Sequence, residues 1–270
     1  MSSTVQEPEA HDGAELHEPA WIEVQDLRYE VPGKQILKGV TLGVAPGEIL
    51  SVMGMSGSGK TTVLHCMGGL TAPTSGQIRI GDSQIVGMRE SELNRVRQRM
   101  GMVFQYAALF DSLTVFENVA FGLRRRRKMP TEEIKTIVAE KLALVGLPGT
   151  EAMYPSQLSG GMSKRVGLAR AIAMSPEILL YDEPTSGLDP VIASVVDELI
   201  MQMRDKLGVT SVVVSHNLPS IFRISDKIAM IHDGRVLATG TPQEIQACSD
   251  PIVRQFIEGR SQGPIDVARR

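Results

Sequence analysis

Residues Gly54–Thr61 read GMSGSGKT, a loop in which three glycines precede a lysine and a threonine. The loop follows the apolar run Ile49–Met53, which predicts a strand, and it precedes a segment of helical character, as the phosphate-loop pattern requires. Glycines allow backbone N–H groups to converge on phosphate oxygens, and the start of a helix adds a favourable dipole. A chance glycine-rich turn is the alternative, and the predicted strand and helix argue against it. We therefore predict a site for the phosphates of a nucleotide.

The side chains at the end of this loop have separate predicted tasks. Lys60 is expected to reach the β and γ phosphates, and the hydroxyl of Thr61 is expected to bind Mg²⁺. Mg²⁺ and a nucleotide that carries β and γ phosphates are therefore expected here. The predicted nucleotide-binding residues of this stretch are Gly54, Ser56, Gly57, Ser58, Gly59, Lys60, Thr61 and Thr62.

Two carboxylates follow a second apolar run. Ile178–Tyr181 is continuously apolar, which is typical of a central strand in a parallel sheet, and Asp182 and Glu183 come next. Ligands bind at the carboxyl ends of such strands. Asp182 is placed to hold Mg²⁺, directly or through water, and Glu183 to polarise the attacking water. An acidic pair that merely ends a strand is the alternative, which the upstream phosphate loop disfavours.

Composition limits the class of protein. The chain has 270 residues, 42% of them hydrophobic, which is enough for a buried core. The net charge of -3 gives no indication of a nucleic-acid partner. Cys66 and Cys248 lack metal-ligand spacing, which favours a reduced, cytoplasmic compartment. We see no apolar run of membrane-crossing length and no signal-peptide pattern at the N-terminus, so any action on a membrane is expected to go through another chain.

The organisation of the chain predicts one nucleotide-binding domain. Residues 1–20 contain five acidic side chains and no lysine or arginine, which predicts a disordered acidic tail. The domain is predicted at 21–250, with a helical subdomain at about 107–165, and 251–270 is a C-terminal extension whose polar end is expected to be loose. The basic run Arg124–Lys128 predicts a solvated charged face, with a surface for acidic lipid head groups as the alternative.

The segment Leu158–Met162 reads LSGGM and precedes a predicted helix. With this segment the chain resembles the ABC ATPase family, whose signature is LSGG, usually followed by glutamine. A hydroxyl, free N–H groups and a helix start suit a γ-phosphate. The resemblance implies that Ser159, Gly160 and Gly161 contact the ATP held by the phosphate loop of a second copy of the chain.

Other elements of the family follow in order, and the resemblance implies their roles. Gln105 matches the Q-loop, which contacts Mg²⁺ or water and relays the nucleotide state toward a membrane subunit. His216 matches the switch histidine, which holds the γ-phosphate and positions Glu183, so these three residues are the expected catalytic set. Asp189 matches the D-loop at the nucleotide interface. Tyr29 is where the family places an aromatic ring on adenine, and plain strand packing remains open for it.

The family also implies a fold. We expect an α/β protein with a P-loop NTPase core and a mainly parallel sheet, an antiparallel β subdomain and an inserted helical subdomain. Phosphate-loop kinases lack LSGG and the switch histidine, and are excluded.

Two stretches narrow the type of ABC ATPase. Met162 in place of glutamine, and Phe110–Val119 after the Q-loop, resemble ATPases that partner MCE proteins, including the maintenance-of-lipid-asymmetry (Mla) transporters of double-membraned bacteria. This implies phospholipid transport between inner and outer membranes, driven from the cytoplasmic face of the inner membrane. The implied partners are a second copy, an integral membrane permease, an MCE substrate-binding protein and a small regulatory subunit, with no nucleic acid. The alternatives are an ABC transporter for another solute and a soluble ABC ATPase without a transport role.

Overall fold

The computed structural model describes residues 21–125 and 129–265. The predicted acidic tail, residues 126–128 of the basic run and the last five residues lie outside the described part of the chain.

The described residues form ten strands. They are β1 (Ile22–Val31), β2 (Lys34–Val44), β3 (Ile49–Met53), β4 (Ser75–Ile80), β5 (Ser83–Gln84), β6 (Met100–Val103), β7 (Ile178–Asp182), β8 (Thr210–Val214), β9 (Lys227–His232) and β10 (Arg235–Gly240).

Nine α-helices and one short 3₁₀ turn complete this part of the chain. The helices are α1 (Lys60–Met67), α2 (Glu90–Arg97), α3 (Val115–Arg125), α4 (Thr131–Leu144), α5 (Gly160–Ile172), α6 (Pro190–Leu207), α7 (Leu218–Ile224), α8 (Pro242–Ala247) and α9 (Pro251–Glu258). The 3₁₀ turn spans Pro155–Gln157.

Six strands form a mainly parallel sheet in the order β10-β9-β3-β8-β7-β6. Only the β9–β10 pair in this sheet is antiparallel. Every residue of β3, β7 and β8 is buried, which explains their continuous apolar sequences. Because these three strands run parallel and side by side, the residues that follow them meet at one edge of the sheet. The predicted mainly parallel sheet is confirmed.

A second sheet is antiparallel, in the order β2-β1-β4-β5. Ile22 pairs with Val44 on one side and with Ile80 on the other, and all three side chains are buried. The apolar face of this sheet packs with α1 and one face of the parallel sheet into a shared core. The antiparallel β subdomain expected from the resemblance is therefore present.

Helices α3, α4 and α5 pack on one another and join the core on the other side of the parallel sheet. The buried Asn118 secures the entry to this region, since its amide nitrogen donates to the carbonyls of Phe110, Leu113 and Thr114. Its Oδ1 atom accepts the Phe110 N–H at 2.8 Å. The Asn118 side chain thus fixes the backbone at Phe110, Leu113 and Thr114, which lies mostly in the stretch that resembles MCE-associated ATPases. The bounds of the helical subdomain, about 107–165, stay a prediction.

Residues after α9 fold back onto that helix. Ile265 is buried, and its N–H donates to Oε1 of Gln255 at 2.7 Å. Gln255 is itself buried and needs such a partner, because a buried amide without hydrogen bonds is costly. The loose end stays a prediction, and the segment up to residue 265 contacts α9 through Ile265.

Candidate site for nucleotide binding and hydrolysis

The phosphate loop joins β3 to α1 at the edge of the parallel sheet. Lys60, the first residue of α1, is buried, and its Nζ donates to the carbonyls of Gly54 and Met55 at 2.8 and 2.9 Å. Burial lowers the pKa of Lys60, and the nearby carboxylates of Glu183 and Asp182 act in the opposite direction. The loop thus holds a cation on its inner side, where an anionic ligand would meet it.

Two glycines of the loop are required by their surroundings. Gly54 has φ +147°, and a Cβ atom there would lie 2.1 Å from the carbonyl oxygen of Ile231 on β9. Gly59 has φ +106°, and a Cβ atom there would lie 2.6 Å from Cδ2 of Leu37. Side chains rarely adopt these backbone conformations, and here they would also meet neighbours. The glycines therefore allow the loop to pack closely against β9 of the parallel sheet and β2 of the antiparallel sheet.

The hydroxyl of Ser58 is a polar atom inside this loop that needs a partner. Its Oγ is buried and has no hydrogen-bond partner within the described residues. Ser58 is not among the residues that line the cavity over the loop, so this hydroxyl points into the protein. The buried cation of Lys60 and the tightly packed glycines 54 and 59 are what make the loop compatible with a nucleotide phosphate.

Thr61 and Asp182 meet across the edge of the sheet. Thr61 Oγ1 donates to Asp182 Oδ1 at 3.0 Å. Mg²⁺ takes oxygen ligands and usually keeps several waters, so one hydroxyl and one carboxylate fit it. Residues 21–125 and 129–265 contain no group of three or more histidine, cysteine, aspartate or glutamate side chains that could hold a metal. The hydroxyl of Thr61 and the carboxylate of Asp182 suit Mg²⁺ that is bound together with phosphate oxygens.

Glu183 follows Asp182 in an unusual backbone conformation. Its φ is +48°, in the left-handed region, and its N–H donates to the Val214 carbonyl at 2.8 Å. The carboxylate lies at the carboxyl end of β8, where Nδ1 of His216 is 2.8 Å from Oε2. The hydroxyl of Ser215 is 3.5 Å from the same oxygen. The turn after β7 thus points Glu183 toward the residues that follow the neighbouring strand.

Gln105 follows β6 and completes this edge of the sheet. Its Nε2 lies 3.5 Å from the hydroxyl of Ser186, in the loop after Glu183, and its main-chain carbonyl accepts from Lys164 of α5. The residues after β6, β7 and β8 are therefore linked by hydrogen bonds.

A cavity of about 910 Å³ lies over the phosphate loop and brings most of the predicted site together. Its lining includes Lys60, Gln105, Glu183 and His216. The loop glycines 54, 57 and 59, with Ser56, Thr61 and Thr62, also line it. Phosphate-loop, carboxylate, Q-loop and switch residues therefore share one space.

Some predicted residues lie outside this lining. Tyr29 on β1 is partly buried against the core shared by the two sheets, and Ile36 lines the cavity on that side. Ser159 is exposed and caps α5, accepting the Met162 N–H at 3.2 Å, beside Gly160 and Gly161. Asp189 is exposed and caps α6, accepting two backbone N–H groups at 3.0 Å. Within one copy, the signature segment and Asp189 do not join the cavity.

The structure adds residues that the sequence reasoning missed. Ser215 was detectable, because it lies between a buried strand and His216. Lys164 also carried a signal, since it falls on the same helical face as Gly161 and Leu168, which are buried. The C-terminal residues Phe256 and Arg260 line the cavity as well, and no local pattern marks them.

Comparison with known proteins places this geometry in a family. The profile of the family described as ABC transporter matches residues 37–186. The intermembrane phospholipid transport system ATP-binding protein MlaF of Escherichia coli K12 is 41% identical over 90% of this chain and 91% of its own length. The chain belongs to the ABC transporter family. It is an ABC ATPase that binds ATP.

Other relatives of this ABC ATPase agree on the family. One named "Probable ribonucleotide transport ATP-binding protein mkl", from Mycobacterium tuberculosis H37Rv, is 41% identical over 92% of the chain and 69% of its own length. Among solved structures, the dimeric ATP-binding cassette MJ0796 bound to ADP and phosphate is similar with a TM-score of 0.76 and 33% identity. That match covers 82% of this chain and 98% of the cassette. The α/β fold expected from the sequence is thereby confirmed.

Among the described residues of the ABC ATPase, none of the helices combines the length and the apolar character needed to span a bilayer.

Proposed function

We propose that this ABC ATPase binds Mg-ATP between two copies of itself and powers phospholipid transport through a separate membrane permease. The observation that supports hydrolysis is the carboxylate of Glu183, which faces the cavity over the phosphate loop and contacts His216. The support for phospholipid as the transported substrate is the identity to MlaF over nearly the whole of both chains.

In this proposal the residues of one copy divide the work at the γ-phosphate. Lys60 binds the β and γ phosphates, and the backbone N–H groups of the phosphate loop surround them. Glu183 accepts a proton from the attacking water, and His216 orients the Glu183 carboxylate and contacts the γ-phosphate. Gln105 lies opposite, where its amide binds water or metal. Tyr29 stacks on the adenine after a local rearrangement, since its ring now packs against the core.

Thr61 and Asp182 would hold Mg²⁺, with Gln105 as a further ligand. When bound, Mg²⁺ neutralises charge on the β and γ phosphate oxygens. Thr61 and Asp182 already lie within hydrogen-bond distance of each other, so little movement is needed to offer both oxygens to one ion.

The signature segment supplies the argument for two copies. Ser159 and Gly160 are exposed at the start of the 13-residue helix α5, away from the cavity of their own chain. A helix start with free N–H groups attracts a phosphate, and a second copy would bring one in its own phosphate loop. Asp189, exposed at the start of α6, would lie at the same interface. MJ0796 is a dimer in its solved structure, which supports this arrangement.

A membrane permease would bind near the Q-loop. Tyr106, the residue after Gln105, is 86% exposed, and Phe110 and Tyr154 are exposed as well. Aromatic side chains on a surface are typical of protein interfaces. The permease would hold the ATPase at the cytoplasmic face of the inner membrane, and an MCE protein and a small regulatory subunit would complete the complex.

Affinity purification of the chain from detergent-solubilised membranes tests these partners. We expect a permease and an MCE protein to co-purify. Cells that carry Glu183→Gln should become sensitive to detergent and chelators, with altered surface phospholipid and unchanged uptake of small solutes. A normal barrier together with failed import of one solute would contradict the lipid assignment and leave the ABC ATPase assignment standing.

A transporter for another solute is the second candidate. It is favoured by the mycobacterial relative, which has the same 41% identity and a name that refers to ribonucleotides. Ribonucleotide uptake by cells with and without Glu183→Gln separates the two candidates.

A further inference from the structure

Helix α5 contacts the Q-loop segment along one face. Lys164, Gly167 and Arg170 recur at intervals of three residues, which places them on the same side of the helix. A Cβ atom at Gly167 would lie 3.2 Å from Cβ of Ala107, and the Arg170 guanidinium donates to the Ala107 and Ala108 carbonyls at 2.5 and 2.6 Å. The helix that begins with the signature segment therefore also holds the Q-loop of its own chain.

Lys164 contacts the turn after β7 in addition to the Q-loop, whereas the two carbonyls that Arg170 contacts both belong to the segment after Gln105. Its Nζ donates to the main-chain carbonyl of Gln105 and, at 3.2 Å, to the main-chain carbonyl of Glu183. The side chain is only 7% exposed, so these carbonyls replace water around the ammonium. One buried cation thus joins α5 to Glu183 and to the Q-loop.

The contact at Glu183 falls where the backbone most needs support. Its φ of +48° is an unfavourable conformation for a residue other than glycine, and it persists only where the surroundings fix it. The Glu183 N–H is held by Val214, its carboxylate contacts His216, and Lys164 holds its carbonyl. Without Lys164, the peptide after Glu183 loses a buried donor, and the direction of the carboxylate is less fixed.

We propose that Lys164 is a positioning residue, which orients Glu183 and Gln105 of its own protomer for hydrolysis. The inference rests on the proposed two-copy arrangement, because α5 begins at the segment that would contact the partner's ATP. Movement of α5 on that contact reaches Glu183 of the same protomer through Lys164. The partner's nucleotide would in this way influence the other hydrolytic centre.

Steady-state kinetics of three variants give the first test. Lys164→Met should lower kcat on the order of 10- to 100-fold, because small misplacements of a catalytic group have effects of that size. The KM for ATP should change by less than about threefold, since ground-state binding is untouched. Lys164→Arg keeps the cation and should recover part of kcat. A rise in KM with normal kcat would overturn the proposal.

Arg165→Gln is the matched control. Arg165 also donates to two main-chain carbonyls, those of Val145 and Gly146, but these lie at the end of α4 and not at the site. It should alter thermal stability with little effect on kcat. If Arg165→Gln and Lys164→Met lower kcat equally, Lys164 acts through general stability of α5 and the inference is wrong.

Mixed dimers separate positioning within a protomer from an effect on the signature segment. When one protomer carries Ser159→Arg, its signature segment can no longer complete the site on the phosphate loop of its partner. The site that remains active uses the phosphate loop and Glu183 of the protomer that carries Ser159→Arg. Adding Lys164→Met to that protomer should lower the remaining kcat, and adding it to the partner should not. The reverse pattern would overturn the inference.

The same preparation tests the arrangement on which the inference depends. If wild-type chains fail to pair with Mg-ATP, both alone and within the purified membrane complex, the two-copy proposal fails, and this inference fails with it. Normal pairing combined with the reverse pattern refutes the role of Lys164 alone.

Discussion

Nδ1 of His216 lies 2.8 Å from Oε2 of Glu183, so that a side chain 62% exposed contacts one only 10% exposed. The contact joins the residues that follow two adjacent parallel strands, β7 and β8. Since the carboxylate can only accept, the imidazole Nδ1–H donates, and the opposite ring nitrogen is left for another partner. The carboxylate is thereby aimed at the cavity from a buried position.

Glu183→Gln should stop turnover and preserve ATP binding. The amide keeps the size of the side chain but cannot accept a proton, and loss of a general base costs about 10² to 10⁴ in rate. Phosphate release and nucleotide affinity measure the two effects. Glu177→Gln is the control, because Glu177 is an exposed carboxylate bound to Arg99 and lies outside the cavity. Near-normal hydrolysis by Glu183→Gln would refute its role.

His216→Ala should lower kcat with little loss of stability. The side chain is mostly exposed, so few packing contacts are lost, and exposed substitutions usually change the free energy of unfolding by less than about 0.5 kcal/mol. Ser215→Ala should have the smaller effect on kcat, because its hydroxyl is 3.5 Å from the carboxylate. Thermal melting and steady-state kinetics are the measurements. If the His216→Ala protein melts at a lower temperature but keeps its kcat per folded molecule, His216 has a structural role only.

Asp182→Asn should raise the Mg²⁺ concentration needed for half-maximal hydrolysis. The substitution removes the anionic ligand that lies 3.0 Å from the hydroxyl of Thr61 and keeps the shape of the side chain. Titration of activity with Mg²⁺, and its removal with a chelator, are the measurements. An unchanged Mg²⁺ requirement would place the metal elsewhere.

Glu183→Gln chains should pair when Mg-ATP is added, because hydrolysis can no longer reopen the closed pair. Size measurement with and without Mg-ATP shows the change. Mixing Ser159→Arg chains with Lys60→Ala chains should leave at most one intact site per pair. A strict monomer under both conditions, and also within the purified membrane complex, counts against the two-copy arrangement.

Gln105→Ala should reduce permease-stimulated hydrolysis more than ATP affinity. Gln105 stands between the cavity and the exposed Tyr106, so its loss should affect coupling before binding. The purified complex allows ATP affinity, stimulated ATPase activity and transport to be measured side by side. Loss of affinity alone would remove the coupling role.

Local patterns were sufficient for the part of the site that is continuous in sequence. The phosphate loop follows the fully buried strand β3, and Asp182 ends the fully buried strand β7 with Glu183 next to it. The carboxyl ends of such strands lie at the ligand-binding edge of the sheet. The sheet then brings Thr61 to Asp182 across 121 residues of chain. The apolar patterns thus predicted the individual strands and helices. The site itself forms because the parallel strands bring their carboxyl ends together.

Contacts that depend on tertiary packing escaped the sequence. Lys164 reaches Gln105 across 59 residues, and only the packing of α5 against the Q-loop reveals which carbonyls its ammonium contacts. The ring of Tyr29 is another such case, because its position on β1 gives no indication of which neighbours it contacts. Side-chain burial of charged and aromatic residues is decided by neighbours distant in sequence.

Gly54 and Gly57 belong to one loop, but different physical constraints favour glycine at the two positions. A side chain at Gly54 would meet the backbone of β9 at 2.1 Å, whereas nothing lies within 4 Å of a Cβ atom at Gly57. Selection for a folded chain alone would therefore retain glycine at 54, even in a descendant that had lost its nucleotide. At 57 only the left-handed backbone, φ +73°, disfavours other residues. Gly54 is thus required by the packing of the loop against the sheet. A homologue that has lost ATP hydrolysis would still need glycine there, so this glycine alone is poor evidence that a homologue hydrolyses ATP.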